Sequence, residues 1–156
     1  MVDRKIIQER RDLFVKCVGL FGLATSLSIR ATQTGAADKP AMATPVAFIN
    51  QAFRMRDLAL ETGDQGYGAV IVKDGRIVGQ APSRVVVNHD PTAHAEMEAI
   101  RDAARKLGTR DLSGCVLYSS SRACPMCEAA GYWAGLEGMR FGHAVSDAGR
   151  PQLQRC

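Results

Sequence analysis

From Thr44 onward the apolar positions alternate between two periods, and the changes of period lay out the elements. Thr44-Pro45 supplies an N-cap and a first-turn proline. Phe48, Ile49, Ala52, Phe53 and Ala59 then recur at the spacing of one helix face, and Gly63 closes that helix. Residues 67–73, rich in Val and Ile, predict a strand. Asp74-Gly75 predicts a tight turn, and residues 76–79 predict the returning hairpin partner. A loop over residues 81–89 leads to Asp90-Pro91, a second cap-and-proline pair, which predicts a helix to about Leu107 closed by Gly108. Residues 115–119 read as a buried strand, a helix follows from Cys124-Pro125 to near Gly138, and residues 139–144 form a last strand. The order αββαβαβ predicts an α/β fold with a mixed central sheet and helices on both faces.

The first 43 residues have a different texture. Arg10-Arg11 precedes an apolar run from Cys17 to Ile29, too short for the roughly 20 residues that span a bilayer but suited to the apolar region of a secretory signal. Ala41-Met42-Ala43 offers an A-x-A cleavage site, and the paired arginines resemble a twin-arginine export signal. The expectation is therefore a leader over 1–43, a domain over 44–156, no stable membrane span, and an exported or periplasmic protein if the leader operates. Without it, the protein is cytoplasmic.

Composition narrows the function classes. The chain has 156 residues, 46% hydrophobic and 23% charged, values that suit one globular domain with a single core. Its formal charge of +4 resides mainly in the leader: residues 44–156 carry 13 basic and 12 acidic side chains. A surface that tracks phosphates shows a basic patch or stripe, so no nucleic-acid partner is expected. Five cysteines are an odd number and too sparse for a disulfide scaffold. Cys115, in an apolar strand, reads as a small buried hydrophobe, and Cys156 as a free thiol near the tail.

The chemistry concentrates in His94-Ala95-Glu96 and Cys124-Pro125-Met126-Cys127. One imidazole and two thiols are zinc ligands in type and spacing, and a three-ligand set leaves a coordination position for water, as catalytic sites do. A redox C-x-x-C pair would leave the His-Ala-Glu element without a role. Both halves of the motif are placed at helix starts, where the partial positive charge favours thiolates. Glu96, two residues from His94, points roughly 200° away on a helix, so it reaches the site from the side. That position suits a proton shuttle for a zinc-acidified water better than a ligand. His89 and His143 have no such partners.

His94-Ala95-Glu96 with Cys124-Pro125-Met126-Cys127 resembles the cytidine-deaminase superfamily of zinc deaminases. The resemblance runs from about residue 47 to 147. Asp90-Pro91-Thr92-Ala93-His94-Ala95-Glu96 is similar to guanine deaminases and tRNA adenosine deaminases, and Tyr132-Trp133-Ala134 looks like the guanine-deaminase branch. The resemblance implies a three-layer α/β/α sandwich, a homodimer, and hydrolytic removal of an exocyclic amine. It implies zinc on His94, Cys124 and Cys127, with Glu96 as catalytic acid/base.

For a small-molecule nucleobase substrate it directs attention to Ser83, Ala95, Trp133 and Asp147 as contacts. Ser83 stands where the family pattern has an asparagine that contacts the base, and Arg122-Ala123 stands for the usual Glu-Pro. The chain also ends at Cys156, where guanine deaminases continue with a segment bearing acidic residues. The expected function is zinc-dependent deamination of a free nucleobase or related aminated heterocycle, guanine-like purines favoured. The alternatives are a tRNA adenosine deaminase and a zinc-binding family member without activity.

Overall fold

The structure, a computed structural model, describes residues 44–153. The leader expected over 1–43, and Cys156, lie outside the described residues. The elements are α1 (Pro45–Glu61), β1 (Gly68–Lys73), β2 (Arg76–Pro82), α2 (Ala95–Leu107), β3 (Cys115–Ser119), α3 (Pro125–Ala134), β4 (Gly138–Phe141) and β5 (Ser146–Gly149). They form one five-stranded sheet in the order β2-β1-β3-β4-β5. Only the β3–β4 pair is parallel, joined by the α3 crossover, so the sheet is mixed.

Side chains alternate across β1 and β3 and so feed two cores. Ala69, Ile71 and Leu117 face one way and bury against Ala95, Ala99 and Ala103 of α2 and Ala134 of α3. Val70, Val72 and Tyr118 face the other way, onto Phe48 and Ile49 of α1. This is the expected α/β/α sandwich, with α1 on one face and α2 and α3 on the other.

Two glycines let the layers approach closely. A Cβ on Gly68 would lie 2.2 Å from the Ala52 carbonyl oxygen, and one on Gly79 would lie 2.6 Å from the Ala99 carbonyl oxygen and the Ala103 nitrogen. Ala-rich α2 thus beds directly on β2. Thr44 caps α1 through its hydroxyl to the Ala47 N–H, as its sequence position predicts. Asp74 and Gly75 both adopt positive φ, 49° and 71°, as a tight β1–β2 hairpin requires.

Three expectations are corrected. The helix predicted from Asp90-Pro91 begins only at Ala95. Asp90 turns its carboxylate onto the Thr92 N–H and hydroxyl, both at 2.7 Å, and so stabilises a local turn instead of capping a helix. α3 stops at Ala134, because Gly135 adopts the left-handed conformation (φ 75°). The last strand ends at Phe141; residues 142–145 then turn, and β5 adds a strand that the sequence pattern did not suggest. All four residues of β5 are exposed, so it carries no hydrophobic alternation to detect. No helix of the described residues is long and apolar enough to cross a membrane.

Candidate metal centre and its cavity

The site lies at one end of the sheet, where β1 begins and β2, β3 and β4 finish. Register pairs Gly68 with Pro82 and Ala69 with Ser119, so the segments flanking these strands converge there. Crevices beyond strand ends are a common location for ligands in α/β sheets. The two halves of the motif precede and follow β3 in the chain, at the starts of the two helices that share one face of the sheet. His94 is the residue before α2, with extended backbone (φ −61°, ψ 152°), and Cys124 holds the same place before α3 (φ −76°, ψ 168°). Each N-cap side chain makes no capping hydrogen bond and is free to face inward. His94 therefore sits just outside the helix, not in its first turn.

His94 Nδ1 lies 3.7 Å from Cys124 Sγ and 3.6 Å from Cys127 Sγ, and the two sulfurs are 3.6 Å apart. A tetrahedral ion with metal–sulfur bonds of about 2.3 Å and metal–nitrogen bonds of about 2.0–2.1 Å would separate its ligand atoms by about 3.5–3.8 Å. The triangle fits such an ion, and among the described residues this is the one three-donor cluster of its kind. Burial pushes the Cys127 thiol well above its usual range, with Glu96 and Cys124 adding to the shift. The helix end does not prevail, because Cys127 lies inside the first turn and is fully buried. A cation must therefore displace its proton on binding.

Glu96 is 5% exposed, with Oε2 3.7 Å from Cys127 Sγ. Burial raises its pKa, opposed by its own backbone N–H, by His94 and by Cys127. It reaches the cluster from the side without joining the triangle, as its two-residue spacing from His94 predicts. A cavity of about 210 Å³ opens over the cluster, lined by His94, Glu96 and Cys124 with Gln65, Tyr67, Ser121 and Arg122.

The contacts expected around it are dispersed. Ser83 is buried and donates its hydroxyl to Asp64 Oδ1 at 2.7 Å, so it does not line the cavity. Ala95 is fully buried in the core beneath α2. Trp133 is 71% exposed on α3, edge-on to Tyr132, in a separate hollow with Arg110 and Asp111. Asp147 lies on β5, 3.7 Å from Arg140 Nε, with Oδ1 accepting from the Gly149 N–H. Within this chain none of the four lines the cavity.

Asp64 is the residue that sequence reasoning missed. Its Oδ1 accepts from the Ser83 hydroxyl and the Gln65 N–H, both at 2.7 Å, and its Oδ2 accepts from the Val86 and Val87 N–H groups, both at 2.9 Å. Burial acts to raise its pKa, but these four bonds prevail and hold the carboxyl below its ordinary value. Asp64 thereby ties the cavity-lining Gln65 segment to the loop that leads toward His94. Three of its four partners are 19–23 residues away, and no short motif signals such a link.

The family described as "Cytidine and deoxycytidylate deaminase zinc-binding region" matches residues 42–143. A guanine deaminase of Bacillus subtilis (strain 168) is 41% identical over 102 residues, 65% of each protein. A tRNA-specific adenosine deaminase of Aquifex aeolicus (strain VF5) is 46% identical over 83 residues, 53% of this chain and 55% of that protein. The chain thus spans about 65% and 55% of the lengths of these two relatives. The X-ray structure of the Bacillus subtilis guanine deaminase superposes with a TM-score of 0.62 at 39% identity, covering 64% of both chains.

Proposed function

This chain belongs to the cytidine and deoxycytidylate deaminase zinc-binding family, and from that premise we propose that it is a zinc-dependent hydrolytic deaminase. The proposed substrate is a free nucleobase or related aminated heterocycle, with a guanine-like purine favoured. The observation that carries the reading is the buried Glu96 beside a three-donor cluster that opens onto a cavity. His94, Cys124 and Cys127 would hold the ion, which when bound lowers the pKa of water to about 7.

The rest falls to the chain itself. Glu96 Oε2 would take one proton from the attacking water and pass it to the ring nitrogen, then carry the remaining hydroxyl proton to the amine, which departs as ammonia as the ring carbonyl forms. Its burial helps, because a carboxyl in a dry setting holds a proton more readily than one in water. The cavity, at about 210 Å³, is smaller than the 300–1,000 Å³ typical for drug-sized ligands and suits a single ring system.

The guanine preference is supported by the similarity to the Bacillus subtilis protein and by Tyr132-Trp133-Ala134. Ammonia release from guanine, isocytosine, cytosine and adenine tests it, with guanine expected to be fastest. Turnover of cytosine alone would overturn the substrate and keep the chemistry. Zinc retained with none of these compounds turned over would favour a family member without activity.

The Aquifex aeolicus similarity favours a second reading, a tRNA adenosine deaminase. The near balance of 13 basic and 12 acidic residues over 44–156 weighs against it. Retention of tRNA in a low-salt gel shift, lost steeply with added salt, would support it. Homodimer assembly and export by the leader are part of the same proposal. Light scattering should give close to twice the chain mass, and a reporter fused after residue 50 should leave the cytoplasm.

A further inference from the structure

Of the ten described arginines, four lie beside a carboxylate, Arg56 by Asp57 among them. Arg101 bonds Glu98, Arg105 lies by Asp102, and Arg140 lies by Asp147. Arg122 differs. It lines the cavity over the metal cluster, and among the described residues no carboxylate lies within 4 Å of its guanidinium. Nor do the side chains of Gln65, Tyr67 and Ser121, which share that lining, hydrogen-bond to any described residue. A guanidinium offers five N–H donors and no acceptor, in a planar fork that matches carboxylate or phosphate oxygens in pairs.

We infer that Arg122 makes this cavity selective for aminated heterocycles that carry an anionic oxygen group on the edge away from the amine. The inference rests on the deaminase reading of the same site. Charge bookkeeping within the cavity supports it. Two thiolates balance a divalent ion, and the buried Glu96 stands beside Cys127, on the side where the amine would be removed. Arg122 is exposed, so its charge stands at the mouth, two residues before the N-cap Cys124 of α3, whose N-terminal end adds partial positive character. A neutral base leaves this donor array without an acceptor, whereas an anionic substituent fills it.

A ring carboxylate and a phosphate share the required chemistry, and paired compounds separate them. The zinc-loaded full chain would be titrated calorimetrically, and assayed for ammonia release, with pterin against pterin-6-carboxylate and with guanine against guanosine 5′-monophosphate. At least about tenfold tighter binding of the anionic member in one pair is expected, weakening as salt rises. The pair that shows it identifies the anion. Arg122→Glu should abolish the preference, and Arg122→Lys should keep part of it, having the charge without the fork. A thermal melt of each variant checks that it is folded. Equal binding of both members in both pairs, or a preference that survives Arg122→Glu, overturns the inference. Anion-selective binding without ammonia release supports it and overturns the deaminase reading. Equal turnover of neutral and anionic members does the reverse.

Discussion

Glu96 and Asp64 are both buried carboxylates, and their partners assign them opposite tasks. Glu96 has few bonds to hold its charge and is free to exchange a proton. Replacing it with Gln keeps the shape and removes the exchange, so ammonia release should fall by about 10²–10⁴-fold with zinc content unchanged. Zinc content measured by atomic emission, alongside the assay, separates this outcome from loss of the ion. Asp64 is held by four donors. Asp64→Asn turns an amide NH₂ toward N–H groups and should cost about 2–3 kcal/mol in urea unfolding.

The pH dependence of that cost follows from the lowered pKa of Asp64. A carboxyl whose folded pKa lies below its unfolded value of about 3.9 contributes stability above that value and loses it as pH falls through the folded value. The difference between wild type and Asp64→Asn should therefore be complete at neutral pH and shrink below about pH 4. Urea midpoints measured from pH 3 to 7 would check it. His94, Glu96, Cys124 and Cys127 were legible because metal-binding side chains at two- and three-residue spacings are rare by chance. Asp64 was not, because its partners are assembled only by the fold.

Among the elements, α1, the β1–β2 hairpin and β3 were read from the sequence nearly as they stand, since each carries its own period and punctuation. The start of α2 was misplaced because Asp90-Pro91 resembles a helix cap, and only the Thr92 contacts show that Asp90 closes a turn. Bringing His94 to the cap position has a benefit for the site: extended backbone there lets the ring face the sulfurs. β5 escaped notice because it lacks a buried face. Gly79 marks the tightest helix-on-strand packing of α2, and Gly79→Ala should destabilise the fold by about 1–3 kcal/mol through overpacking. The same denaturation assay reads it, and an unchanged midpoint would show that α2 can shift aside.

For the molecule as a whole, the cluster joins the starts of α2 and α3, so an ion there should stabilise the domain as well as serve chemistry. Chelation is expected to lower the melting temperature by about 5 °C or more, and added zinc should restore it. A melt insensitive to chelator, in protein shown to contain zinc beforehand, would mean that the fold does not depend on the ion. The α/β/α layering was visible in the sequence because element order and apolar period already restrict the sheet to a mixed one. The cavity wall was not, since Gln65, Tyr67, Ser121 and Arg122 come from loops with no shared motif.

The two outer margins of the sheet bear on how copies of this protein can associate. On one side the Gln80 amide is already claimed by Asp102 of α2, at 3.0 Å. On the other, β5 is four residues long, carries Asp147, and is followed closely by Pro151. Neither rim is a good template for adding a foreign strand, and such blunting is how sheet proteins avoid ribbon-like aggregation. Durable self-recognition should therefore proceed through helical surfaces, leaving the β-ladder closed to newcomers.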